Sequence, residues 1–183
     1  MNRYLDFEND IENIESLLNK LNTNNSDYKF EKNKLLDQKK KLLKKIYSNL
    51  SAWEKVQVAR HANRPHSKDY ISMIFDDVIY LHGDKKYADD PAILGGLGKI
   101  SGVSVMIIGT EKGNSMESRI KHNFGMAKPE GYRKSQRLMT IADKFNLPVV
   151  SFVDTAGAFP GKDAEERGQS ESIASSIQTS LKI

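Results

Sequence analysis

The stretch LPVVSFV, residues 147–153, limits the possible folds more than any other part of the chain. It is rich in Val, too short for a buried helix, and has a proline near its start, so it reads as a strand buried inside a sheet. The run stops at Asp154 and enters TAGAFPG, where Ala156, Gly157 and Ala158 turn the chain toward a last helix. Asp163 is expected to cap that helix, with Glu165 and Glu166 in its first turn. A buried strand needs neighbours. AILGGLGKI and VSVMIIG, separated by Ser101-Gly102, supply a β-hairpin. Three glycines in the first of these strands predict bulges or close backbone contact. PEGYRKSQRLMTIADKFN follows as a helix with Leu138, Met139, Ile141, Ala142 and Phe145 inward. Hairpin, helix, strand, glycine turn, helix is an α/β order, and at least one further strand is expected beside Val149–Val153.

Upstream the period is helical. Phe7, Ile11, Ile14, Leu18 and Leu21 recur at steps of four and three, NTNNSD breaks the pattern, and Leu35, Leu36, Leu42, Leu43, Ile46, Tyr47 and Leu50 resume it. The first fifty residues therefore read as an antiparallel helical hairpin, an assembly region (1–50) ahead of a second domain (51–183). The lone Trp53 is expected to pack a short helix onto the core. Ser67 reads as an N-cap, and Ile71, Ile74, Phe75, Val78 and His82 as one helical stripe stopped by Gly83.

Composition removes several function classes. With no cysteine there is no disulfide, thiolate zinc site or cysteine nucleophile. The four histidines, His61, His66, His82 and His122, contain no i, i+4 pair that would aim two imidazoles from one helical face. No run is apolar enough to cross a bilayer and the N-terminus lacks signal-peptide character, so a soluble, cytoplasmic protein is expected. The net charge of +4 permits an anionic partner. Lys29 to Lys45 holds eight lysines, which reads as a solvated helix face ahead of a nucleic-acid patch with Tyr28 and Phe30 as stacking residues.

The letters DTAG invite comparison with a GTPase switch, but no G-x-x-x-x-G-K-[ST] run precedes them to wrap phosphates. What the turn does offer is backbone amides at the carboxyl edge of a sheet, which stabilise an oxyanion. Taken alone it reads first as an ordinary tight connection.

Longer strings add to this. YADDPAILGGLGKISGVSVMIIGTEKG, NFGMAKPEGYRKSQRLM and FVDTAGAFPGKDAEERGQSESIA, in this order, closely resemble the α-subunit family of bacterial acetyl-CoA carboxylase carboxyltransferases. The likeness runs from LDFE through AWEKVQVARHANRPHSKDYI to about Ala174. It implies a crotonase-like (ClpP/crotonase) ββα superhelix, here incomplete, preceded by the helical hairpin. It implies an α2β2 assembly that moves a carboxyl group from biotin on a carrier protein to acetyl-CoA, giving malonyl-CoA for fatty-acid synthesis. A partner biotin carboxylase spends ATP to load the biotin, and any zinc belongs to the β subunit, so no metal is expected in this chain.

The same resemblance implies site residues. Gly157 and Ala158 are the expected amide donors, and Phe159, Pro160 and Gly161 are expected to shape a biotin pocket. Lys112 and Arg133 are expected either to attract anionic substrate groups or to be surface charge. Ala156 stands where the family usually has Pro, which loosens the turn without removing a donor. SSIQTSLKI leaves the family pattern where a further strand and a Gly-Gly turn would follow. The chain is therefore expected to be truncated, spanning a little more than half of the usual subunit, and inactive alone. Two other readings are a non-catalytic assembly module using the hairpin and, behind it, nucleic-acid binding through Lys29–Lys45.

Overall fold

The computed structural model describes residues 4–21 and 27–183. Its contacts divide the chain between Arg64 and Pro65 into two compact units, whereas the sequence pattern alone places the boundary after residue 50.

In the first unit, α1 (Asn9–Lys20) and α2 (Tyr28–Tyr47) run antiparallel: Glu15 meets Lys39, while Glu8, before α1, meets Tyr47 at the far end of α2. Ile11 is buried, and the Phe7 and Tyr47 rings meet edge to face with centroids 6.4 Å apart. Burial and the adjacent Glu8 carboxylate push the Tyr47 phenol up to about 12. The expected break at NTNNSD lies, except for Asp27, outside the described residues. A short α3 (Ala52–Ala59) starts at a capping box, in which the Ser51 hydroxyl accepts from the Glu54 amide and the Glu54 carboxylate from the Ser51 amide. Trp53 does not pack inward as expected; its position on α3 leaves it 67% exposed.

The second unit is built on a four-stranded sheet in the order β1 (Asp76–Tyr80), β2 (Ile93–Ile100), β3 (Val103–Thr110), β4 (Val149–Phe152). The β2–β3 hairpin turns at Ser101-Gly102, where both residues have positive φ (50° and 81°), the type I′ pattern that matches strand twist. β4 adds parallel to β3, with Met106 opposite Val149 and Gly109 opposite Phe152. Both faces of β3 are covered, as its alternation requires. Val105 and Ile107 pack with Ile71 of α4 (Ser67–Ile74) and with Phe75 just past its end, while Met106 packs with Leu138 and Ala142 of α6 (Pro129–Lys144). The crowded glycines are explained by close approach. A methyl at Gly96 would overlap the Ile79 carbonyl, with the Ile79 carbonyl carbon and Tyr80 Cα both at 2.9 Å.

Four local expectations are corrected. The stripe from Ile71 to His82 is not one helix: Phe75 turns extended (φ −112°, ψ 140°), and Val78, Ile79 and Tyr80 form an edge strand on β2, with a bulge beside Asp77 (φ 52°). Ser67 is the first helical residue rather than the cap; its hydroxyl donates to the Thr110 carbonyl, and Asp69 caps by accepting from the His66 amide at 2.8 Å. Phe145 lies past the end of α6 and is 63% exposed. The last helix is two, α7 (Lys162–Glu166) and α8 (Gln169–Ser180), broken at the left-handed Gly168, with Gly161 rather than Asp163 at the first cap position. β4 is also less buried than a central strand. Among the described residues it has one neighbour, and Val153 beyond it is 80% exposed. No helix of the described residues is long and apolar enough to cross a membrane.

Candidate functional site

The parallel pairing of β3 and β4 brings Thr110 beside the residues that follow Phe152. Thr110 Oγ1 accepts the Asp154 amide at 2.6 Å, and Lys112 Nζ pairs with the Asp154 carboxylate at 2.8 Å. The turn thus starts from two fixed points, one at the end of the neighbouring strand and one two residues beyond it. Thr155 then ties it to a second segment. Its hydroxyl lies 2.6 Å from the Gly125 carbonyl and 2.9 Å from the Gly157 carbonyl, and accepts the Gly157 amide at 3.1 Å.

That second segment is strained. Between α5 (Met116–Lys121) and α6, Asn123, Phe124 and Gly125 all have positive φ (48°, 55° and 80°), a conformation that non-glycine residues keep only when their surroundings impose it. The constraint is Asp90, 1% exposed, whose carboxylate accepts the Ala92 amide at 2.9 Å, the Lys128 amide at 2.7 Å and Asn123 Nδ2 at 3.2 Å. Burial raises the Asp90 carboxyl above its ordinary value against the pull of these donors.

From here Ala127 forms a parallel bridge with Ala158, and the Phe159 amide donates to the Ala127 carbonyl at 3.0 Å. Buried Gln169, opening α8, donates from Nε2 to the Ala127 carbonyl at 2.9 Å and to the Phe159 carbonyl at 3.2 Å. Lys128 Nζ sits 4.7 Å from the centre of the Phe159 ring and 3.5 Å from Asp163. Gly161 fits because a side chain there would meet the Phe159 ring edge, 2.9 Å from its Cδ1.

The expected donors therefore differ in state. The Gly157 N–H is held by Thr155, whereas among the described residues no acceptor takes the Ala158 N–H. Ala158 and Phe159 are half-buried, while Ala156, Gly157 and Pro160 are exposed. An amide pinned on both sides, with an aromatic ring adjoining, can receive one negatively charged oxygen without reorganising.

Lys112 joins this loop through Asp154, but Arg133 does not face it as a free cation. Arg133 belongs to a buried charge cluster under α6: its guanidinium contacts Asp84 (3.0 Å), Glu130 (3.3 Å), the Arg167 carbonyl (3.1 Å) and Ser172 Oγ (3.2 Å). Glu130, 2% exposed, also takes Arg167 Nε at 2.6 Å, and buried Lys134 pairs with Asp89. Thr110, Thr155, Asp90 and Gln169 went unread in the sequence. The turn-forming letters NFG were a signal for the left-handed segment; no local signal marks Asp90 or Gln169.

A separate apolar cavity of about 690 Å³, lined by Ile79, Leu97, Lys99, Ser104, Ile141 and Phe145, lies toward the start of β3, the opposite end of the sheet from the loop. Among the described residues no cluster of His, Asp and Glu has the arrangement of a metal site.

Residues 4–183 match a family described as acetyl co-enzyme A carboxylase carboxyltransferase-like. The "Acetyl-coenzyme A carboxylase carboxyl transferase subunit alpha" of Caulobacter sp. (strain K31) is 51% identical over 183 residues, 97% of this chain and 57% of the relative. The protein of the same name from Zymomonas mobilis is 52% identical over 98% of this chain and 58% of its own length. A solved single-chain, multi-domain long-chain acyl-CoA carboxylase aligns over 64% of this chain and 12% of its own, at 25% identity and a TM-score of 0.49. The chain thus spans somewhat under three-fifths of the curated relatives it matches, and over that span it belongs to the acetyl-CoA carboxylase carboxyltransferase-like family.

Proposed function

We propose that the chain forms the biotin-facing side of a carboxyltransferase, which moves a carboxyl group from biotin on a carrier protein to the methyl carbon of acetyl-CoA and yields malonyl-CoA. The observation that supports it is the Ala158 N–H, left without an acceptor in a loop clamped by Thr110, Thr155 and Gln169. Carboxybiotin, when bound, supplies the carboxyl group. Residues of the loop fit such a group, since they combine an amide donor with the apolar Phe159, Pro160 and Gly161. In this reading Ala158, and Gly157 once its bond to Thr155 is released, donate to an oxygen that gains negative charge during transfer. Phe159 and Pro160 cover the ring system, and Gly161 leaves room for Phe159. Lys112 sets the loop through Asp154 and adds positive potential near it. Arg133 acts beneath the site, through Glu130 and Arg167.

The superhelical crotonase-like core, the α2β2 assembly with a β subunit, and service by a biotin carboxyl carrier protein and an ATP-dependent biotin carboxylase in the cytoplasm belong to the same proposal. The α1–α2 pair, which exposes Leu17, Phe30 and Leu36, is its assembly region. The test is malonyl-CoA formation from acetyl-CoA and carboxylated carrier by the complex of this chain with its β partner. Product that depends on both chains supports the reading; a correctly assembled complex that forms none refutes it.

A further inference from the structure

Gln169 is 3% exposed, and its amide uses both of its N–H bonds on main-chain carbonyls, one from Ala127 and one from Phe159. These carbonyls belong to the two segments that the Ala127–Ala158 bridge joins, and the Phe159 carbonyl follows the Ala158 N–H by a single residue. The Ala127 carbonyl also receives the Phe159 N–H. One side chain thus braces both strands of the bridge.

The other end of the same amide is unusual. Gln169 Oε1 is buried and among the described residues has no donor. A buried acceptor without a partner destabilises the fold. Flipping the amide would not relieve it, because Oε1 would then face two carbonyl oxygens. The chain therefore keeps a destabilising group in order to hold two carbonyls, a pattern found where geometry matters more than stability.

We infer that Gln169 is a positioning residue that holds the Ala158 N–H in register for its charged acceptor; this rests on the reading of the loop as the oxyanion site. Gln169→Met keeps the length and burial of the side chain and removes both donors together with the orphaned oxygen. The losses and the relief oppose each other, so the melting temperature should move by no more than about 3 °C. Hydrogen exchange at the Phe159 amide should accelerate about ten-fold or more while β3 amides keep their protection. In the assembled carboxyltransferase, kcat should fall about ten-fold or more with KM for acetyl-CoA unchanged. Gln169→Glu places a carboxylate against two carbonyls, so its activity should recover as pH falls and the protonated carboxyl regains one donor.

Unchanged exchange at Phe159 in Gln169→Met overturns the inference, and so does an unchanged kcat. A melting-temperature loss of about 10 °C or more, with exchange accelerated throughout the sheet, also overturns it, because Gln169 would then be general structural support. If the wild-type complex makes no malonyl-CoA, the functional reading fails, and the exchange result alone decides whether Gln169 holds the loop.

Discussion

Removing Glu130 should cost more than any surface charge in the chain. Its carboxylate is 2% exposed and sits between two guanidiniums, with Arg167 Nε at 2.6 Å and Arg133 Nη2 at 3.3 Å. Glu130→Ala leaves both cations partly buried, with 21% and 13% of their side chains exposed. Breaking a buried pair by deleting one partner costs about 3–5 kcal/mol. Here each cation keeps another carboxylate, Asp84 for Arg133 and Asp163 for Arg167, and Arg167 keeps the Tyr87 ring at 4.9 Å. Those contacts place the loss at the low end, about 3 kcal/mol. For a chain of this size that lowers Tm by about 6–12 °C in a calorimetric or circular-dichroism melt. Lys162→Ala is the contrast: its pair with Glu166 spans 3.4 Å but the lysine side chain is 90% exposed, so Tm should not move measurably. If Glu130→Ala melts within about 2 °C of the wild type, the cluster is not buried in the energetic sense.

Further outcomes follow from the same geometry. Gly96→Ala drives a methyl into the Ile79–Tyr80 backbone, which cannot rotate away as a side chain would; it should cost about 3 kcal/mol and release β1, read as faster exchange at Leu81, whose amide donates to the Gly95 carbonyl. Acid stability should depend on Asp84 and Asp89. Burial raises the Asp89 carboxyl, but Lys134, the Gly83 amide and His82 outweigh it and hold the group at about 2, below the ordinary 3.8. Burial likewise raises Asp84, and the Tyr87, Lys86 and Ala88 amides with Arg133 bring it net downward. A lowered native value means that the unfolded chain binds more protons, so this contribution is complete above about pH 4 and is lost as pH falls toward about 2. Asp90, raised by burial, works in the opposite direction. Urea midpoints at descending pH should fall in that window, and Asp84→Asn with Asp89→Asn should flatten the fall; a parallel pH profile in the double variant would refute the assignment.

Much of the second unit was legible because its signals are local. Ser101-Gly102 is a turn whose chemistry names its type, and Leu138, Met139 and Ala142 mark the buried face of α6. β1 was not legible, because Ile71, Ile74, Phe75 and Val78 fit a helical period and only pairing with β2 makes the second half extended. The loop itself was readable as a source of amides, but not which amide is free. That depends on Thr155 engaging Gly157, and on Asp90 reaching 38 residues ahead to the Lys128 amide. Arg133 shows the same limit from the other side: its charge is plain in the sequence, its burial among Asp84 and Glu130 is not.

In the proposed function the Ala158 N–H stabilises charge during carboxyl transfer. Replacing Ala158 by lactic acid turns that N–H into an ester oxygen and leaves the side chain as it is. In the assembled carboxyltransferase, kcat for malonyl-CoA formation should then fall about 100-fold or more, with the melting temperature and the Phe159–Ala127 hydrogen bond retained. A kcat within about two-fold of the wild type would contradict it.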